Sequence, residues 1–414
     1  MAFAMACGGV VAALAASPAE KPVPRLLQGG VAADPGAPGG RRSLPADTAP
    51  TPPDAAETEW LAAGWVPGGD AYRGMAERAL LDLRLLTSPD GTVAAAWHPV
   101  WDYMWPRDAA WVAAAYSATG HGDNALTVLR RLAALQNPQG TWEARYRLDG
   151  GHVGDGRDAQ LDGNGWVPWA VWFWYSHQDP ADPATAAALD ELWPAVAKAA
   201  DRAAAALRGN GLPPAGPDYW ETRTDQVTLG TAAPLLAGLR GAAALAAARG
   251  DGTAAERWSQ ASRRLDEAIR TEFGPYGYPR TADAGSGADT AVTWLGPPFA
   301  APSADVAAAV RGAESELTLA NGGILPGGDW GGRKDVAWTP ETASFALFDA
   351  ASGRREAADQ RLAWLDRHRT ARGSLPEKVD PDGRPASVAP LAWTAAAVVL
   401  ALTAQETPLP VPPP

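Results

Sequence analysis

The chain has a single cysteine, Cys7, so no internal disulfide can form and no cysteine-based zinc site exists. Its five histidines (His98, His121, His152, His177 and His368) are scattered, and no H-E-x-x-H occurs. No G-x-x-x-x-G-K-S/T cradles a phosphate, no G-x-S-x-G provides a serine elbow, and no D-D-x-x-D supports prenyl-diphosphate chemistry. Lys/Arg-rich blocks are missing and the formal charge is −12, which excludes the basic footprint that nucleic acid or an anionic membrane requires. Few runs alternate with period two, and no later stretch reaches membrane-span length without charges.

What is there is a long, Ala-rich, tryptophan-rich chain. Its 414 residues are 46% hydrophobic and 20% charged, enough for a sizeable core. Nineteen tryptophans suit core packing first, and stacking platforms for flat sugar faces second, since many stand near Gly, Pro and charged residues. Residues 2–16 (AFAMACGGVVAALAA) resemble the apolar part of a signal peptide without its basic start. Export to the extracellular space is therefore expected for segment 1–17, and Ala6-Cys7-Gly8 reads as a degraded lipidation site or a chance cysteine. Residues 18–55 are rich in Pro, Gly, Ala and Asp without periodicity and read as a disordered linker; residues 406–414 read as a Pro-rich tail.

Between them, over 56–405, apolar residues recur at i, i+3 and i+4 in about twelve segments, the first near Met75 and the last ending near Thr403. No fixed sequence repeat marks an open solenoid. An all-α fold, a closed (α/α)6 toroid, is expected, with the long Trp-, Gly- and Asp-rich links 91–107, 140–165, 209–228, 321–338 and 372–389 at one end.

Three of these links carry acidic residues among aromatics. The first reads Trp101-Asp102-Tyr103-Met104-Trp105-Pro106-Arg107-Asp108. Adjacent Arg107 and Asp108 at a helix start can hold two sugar hydroxyls, or form a cap with a local ion pair. The second reads Pro217-Asp218-Tyr219-Trp220-Glu221-Thr222-Arg223, where Glu221 is either a partly desolvated acid beside Trp220 or a surface partner of Arg223. The third reads Gly373-Ser374-Leu375-Pro376-Glu377-Lys378, where Glu377 is either a rigidly presented base or half of an exposed Glu–Lys pair. Hydrolysis of a glycosidic bond needs two such carboxyls, one to protonate the leaving oxygen and one to activate water or attack carbon. Asp335 and Glu341 are the reserve candidates for the base.

Together the loops resemble glycoside hydrolase family 15, the glucoamylases, in order and over nearly all of 56–405. Trp105-Pro106-Arg107-Asp108-Ala109 resembles the family's W-P-R-D-A motif, and QNPQGTW at 136–142 its Q-x-x-G-x-W segment. Gln160-Leu161-Asp162-Gly163 resembles its Q-x-D-G stretch, and Asp218-Tyr219-Trp220-Glu221 the loop with the general acid. Asp289 with Pro297-Pro298-Phe299, and Gly373 to Glu377 followed by Pro390-Leu391-Ala392-Trp393, complete the series. The resemblance implies a six-hairpin toroid and inverting, exo-acting hydrolysis of α-glucosidic bonds in soluble oligo- or polysaccharides, by a monomer without cofactor or metal. It implies Glu221 as general acid and Glu377 as general base. Arg107, Asp108, Trp105, Trp220, Gln160, Asp162 and Trp338 are the implied substrate-binding residues.

This sequence departs from the family at two places in the site. Thr222 stands where a second carboxylate often follows the acid, and Gly322-Gly323-Ile324-Leu325-Pro326-Gly327 lacks the arginine that reaches the terminal sugar, leaving Arg333 or Lys334 as replacements. Isomalto-oligosaccharides, trehalose or another sugar are the alternative substrates, and a catalytically silent carbohydrate-binding toroid the alternative role.

Overall fold

The computed structural model describes residues 21–414, so the signal-like segment and Cys7 lie outside the described residues. Six hairpins follow one another, each with an outer element and then an inner one. Gly69–Leu86 (α2) leads to Pro106–Ala118 (α3), Gly122–Leu135 (α4) to Gly163–Tyr175 (α5), and Pro183–Ala206 (α6) to Leu229–Ala248 (α7). Gly252–Glu272 (α8) leads to the 3-10 turn Thr290–Leu295, Ala304–Leu317 (α9) to Thr339–Ala351 (α10), and Arg355–Arg367 (α11) to Ala392–Glu406 (α12). A further helix, Ala55–Ala63 (α1), packs on α2. The inner elements touch in the closed order α3, α5, α7, the 3-10 turn, α10, α12 and back to α3. The all-α toroid expected from the periodicity is the fold observed.

Composition separates the two rings. Outer helices bury one stripe: α9 hides Val306, Val310, Ala313 and Leu317, and α8 hides Ala254, Trp258, Ser262, Leu265 and Ile269, both at helical spacing. Inner helices are buried nearly all round, and every residue of α3 is buried. α7 is long and apolar enough to cross a bilayer by length and composition, yet here it is a wall of the inner ring. Close approach explains the glycines between α5 and α7. A Cβ on Gly165 would fall 2.2 Å from the Pro234 carbonyl, and one on Gly238 would fall 2.4 Å from the Gly165 oxygen. The tryptophans fill the centre of the ring. Trp111 and Trp166 meet at 5.4 Å between ring centroids, Trp166 and Trp294 at 5.1 Å, and Trp169 and Phe299 at 4.9 Å. That is the core-packing role for these residues.

Two expectations are corrected. The fourth inner element is a 3-10 turn rather than an α-helix. The stretch read as a disordered linker is ordered from residue 21 onwards: Gly30–Ala33 (β1) and Arg41–Leu44 (β2) form an antiparallel hairpin with Gly30 opposite Leu44. Its order comes from the ring it docks on. Gln28 Nε2 donates to the Ala389 carbonyl at 2.9 Å, and Thr370 Oγ1 donates to the Gly29 carbonyl at 2.6 Å. α1 then starts on a capping box, with Asp54 accepting from the Glu57 N–H and Glu57 from the Asp54 N–H. The Pro-rich tail forms no helix or strand beyond α12, and its Leu409 is buried.

Candidate active site

The inner elements present their N-terminal ends to the same face, and the long links meet above them. Short pairings hold the links: Tyr103–Met104 (β3) with Tyr146–Arg147 (β4), and Ala337–Trp338 (β5) with Lys378–Val379 (β6) and Pro385–Ala386 (β7). They enclose a cavity of about 240 Å³ lined by Trp105, Arg107, Asp108, Trp220, Glu221, Trp338 and Glu377, seven of the nine expected site residues.

Glu221 ends a tight turn. Its N–H donates to the Asp218 carbonyl at 2.7 Å, the Trp220 N–H donates to the Asp218 carboxylate at 3.0 Å, and Glu221 itself has φ 57°. A glutamate in the left-handed region costs about 1–2 kcal/mol and persists only where its surroundings impose it. Here they do. Arg280 is clamped between Asp218 and Asp289, at 2.8 Å from each, and its guanidinium lies 3.5 Å over the Trp220 ring. Tyr219 donates to Asp289 at 2.6 Å. The Glu221 carboxylate accepts from Trp105 Nε1 and from Arg157. Arg223, its partner in the plainer sequence reading, pairs with Asp158 instead.

Glu377 immediately precedes β6 and is 8% exposed. It accepts from Trp101 Nε1 at 3.3 Å and from the Ser387 hydroxyl, and Lys378 Nζ stands 3.3 Å away. Ser387 is itself held with φ 67° by the N-terminal segment: its N–H donates to the Arg25 carbonyl at 3.0 Å, and its carbonyl accepts from the Leu27 N–H at 2.6 Å. The stretch expected to be a linker therefore braces the residue that orients Glu377. Deleting residues 1–54 is expected to lower the melting temperature and cut the rate by about tenfold or more, since small misplacement of a reacting group is costly. Full activity in the truncated chain, measured beside the intact one, would show the brace to be idle.

Arg107 and Asp108 sit in the first turn of α3, both buried. Arg107 bonds Asp162 at 3.0 Å and Gln160 at 3.2 Å, and lies 5.0 Å from the Trp393 ring centroid. Gln160 and Asp162, expected to bind substrate, do not line the main cavity; they stand behind Arg107 and orient it. Burial pushes the Asp108 carboxyl up to about 6, with Arg107 opposing and Asp162 adding to the rise.

Several lining residues were not among the expected site residues: Trp101, Arg145, Arg157, Tyr219, Trp330 and Trp393. Trp330 links two expected platforms edge to face, 5.2 Å from Trp220 and 5.2 Å from Trp338. A Trp in a Gly-rich loop was the available signal. Neither Arg333 nor Lys334 lines the cavity. Arg333 bonds Asp335 and the Lys21 carbonyl, and Lys334 the Gly328 carbonyl. Of the reserve bases, Asp335 is held by Arg333 outside the cavity, whereas Glu341 lines it. Among the described residues no group of three or more His, Cys, Asp or Glu could hold a metal ion.

Glu341 is 2% exposed in the first turn of α10. Burial pushes its carboxyl up to about 8, with Glu377 and Asp289 adding to the rise and Lys378 opposing it. A carboxyl raised from 4.5 stabilises the fold fully below about 4.5, and that contribution fades to nothing as pH climbs to about 8. Glu341→Gln removes the dependence. Its unfolding free energy relative to wild type is expected to rise between pH 5 and pH 8, by about 1.4 kcal/mol per pH unit at most. Parallel stability–pH curves for the two proteins would contradict this.

No protein-family model matches the chain, and no curated protein sequence matches it. Solved structures do. A point variant of a glycosidase superposes with a TM-score of 0.70 at 20% identity, over 86% of this chain and 99% of that one. A bacterial glucoamylase complexed with acarbose gives 0.68 at 19% identity, over 86% of this chain and 59% of that one. The glucoamylase of Saccharomycopsis fibuligera gives 0.63 at 14% identity, over 79% and 92%. The fold is thus the helical toroid of glycosidases and glucoamylases.

Proposed function

We propose that the chain is an exo-acting glycoside hydrolase that releases the terminal sugar of a soluble α-glucoside with inversion. The observation that carries this reading is the meeting of Glu221 and Glu377, from links 156 positions apart in the sequence, on one aromatic-walled cavity. Glu221, oriented by Trp105, donates the proton to the glycosidic oxygen. Glu377, oriented by Ser387 and Trp101, deprotonates a water on the opposite face of the sugar. Inversion requires about 6.5–9.5 Å between the two carboxyls to admit that water. Arg107 and Asp108 hold the hydroxyls of the terminal sugar, and Trp220, Trp330 and Trp338 form the wall for the rest. The glycosidases and glucoamylases that share the toroid support a carbohydrate substrate, and the resemblance of the loop motifs to the glucoamylases supports action at a chain end. Loop 321–338, which brings tryptophans and no guanidinium to the cavity, leaves α-1,4 glucan ends, isomalto-oligosaccharides and trehalose as the substrates to compare.

The test is hydrolysis of maltotriose, isomaltotriose, trehalose and soluble starch by the intact chain. Release of glucose from at least one is expected, and the preferred member names the linkage. A folded protein that releases nothing from any of them defeats the α-glucosidase reading.

A further inference from the structure

Deepening the glycosidase reading and resting on it, we propose that Glu341 is a substrate-recognition residue whose carboxyl group donates a hydrogen bond to a hydroxyl oxygen of the sugar in the innermost position. Glu341 lines the cavity shared by Glu221 and Glu377. Its Oε2 is buried and has no hydrogen-bond partner among the described residues. A buried polar atom in a packed helix start is ordinarily satisfied, and one left unpaired on a residue that lines a cavity points to a ligand for that carboxyl group. The groups that face it are already committed. Tyr219 bonds Asp289 and the Pro326 carbonyl, and Asp289 is held by Arg280. Lys378 stands against Glu377 and over the Trp338 ring at 4.0 Å. Glu377, the remaining neighbour, takes its hydrogen bonds from Ser387 and Trp101.

The chemistry of the group fits a hydroxyl rather than an ammonium. Burial and the Glu377 carboxylate keep the proton on Glu341 up to about pH 8, so at neutral pH it is an O–H donor without charge. A sugar hydroxyl oxygen accepts such a bond and returns none of the desolvation cost of an ion. Loop 321–338 brings no guanidinium to the cavity, so Glu341 supplies a donor that the loop does not.

The experiment is calorimetric titration of glucose, each monodeoxyglucose and glucosamine into wild type, Glu341→Gln and Glu341→Leu at pH 6.5. Glu341→Leu is expected to weaken glucose binding by about tenfold or more, and Glu341→Gln, which keeps an N–H donor, by clearly less. One monodeoxyglucose should lose the same factor on wild type and little more on the Leu variant. Glucose affinity of wild type should fall above about pH 8, and that of the Gln variant should not. Should the Leu variant fail to fold, the deoxy series on wild type and the Gln variant decides: a uniform response across the series overturns the proposal. Equal affinity of a folded Leu variant and wild type for glucose overturns it as well, as does tighter binding of glucosamine than of glucose. Failure of every sugar to bind wild type overturns the glycosidase reading itself, and this inference with it.

Discussion

Glu221→Gln and Glu377→Gln each lower kcat by at least about 100-fold, since a positioned general acid or base contributes about 10² to 10⁴. The two variants differ in how they fail. Without Glu221 the leaving group departs unprotonated, so a substrate whose leaving group needs no proton, such as α-glucosyl fluoride, recovers much of the rate. Without Glu377 the water is not activated, and no leaving group restores it. Neither change touches the packed rings, because both side chains hang from links between helices, so both variants should melt within a few degrees of wild type. Near-normal turnover in one variant removes that residue from its role. A substantial fluoride rescue of Glu377→Gln but not Glu221→Gln exchanges the two assignments.

Arg280→Met is expected to be the most damaging change outside the cavity floor. The guanidinium holds Asp218 and Asp289, whose side chains are fully buried, and it stacks on Trp220. Removing one member of a buried ion cluster leaves the others without compensation and costs about 3–5 kcal/mol. The consequence reaches the site. Asp218 forms the turn that holds Glu221 at φ 57°, and a residue in that conformation relaxes when its support goes. Urea unfolding should show the loss as a lower midpoint, and any protein still folded should turn over far more slowly with little further weakening of glucose binding. An unfolding free energy within about 1 kcal/mol of wild type would mean that Asp218 and Asp289 are satisfied some other way.

The helices were legible because each outer helix must bury one stripe and each inner helix buries everything, and Ala/Leu periodicity records both. Glu221, Glu377, Arg107 and Asp108 were put forward as candidates by the order of loop motifs that resembles the glucoamylases, since each residue alone also has a plain structural reading as a cap or an ion-pair partner. What the sequence hid depends on contacts between distant positions. The hairpin of residues 30–44 has no periodic signal, and residues 25–28, which lead into it, are held by backbone groups of Ser387 and Ala389, more than 340 positions later. Gln160 and Asp162 come from a motif of the same series as the residues that line the cavity, and only the packing places them behind Arg107. Thr290–Leu295 is apolar like its neighbours, and nothing in six residues distinguishes a 3-10 turn from a helix. Arg157 lies in an exposed Gly-rich loop and reads as solvated until the fold carries it to Glu221.

The central claim is that two opposed carboxyls act on one sugar in one step. It is tested most directly by the anomer first released from the preferred oligosaccharide, followed by NMR in the seconds to minutes before mutarotation. β-Glucose from an α-linked substrate is the result expected of Glu221 and Glu377 acting as acid and base across an intervening water. α-Glucose would require a covalent intermediate and a nucleophile in van der Waals contact with the sugar, and would contradict the account.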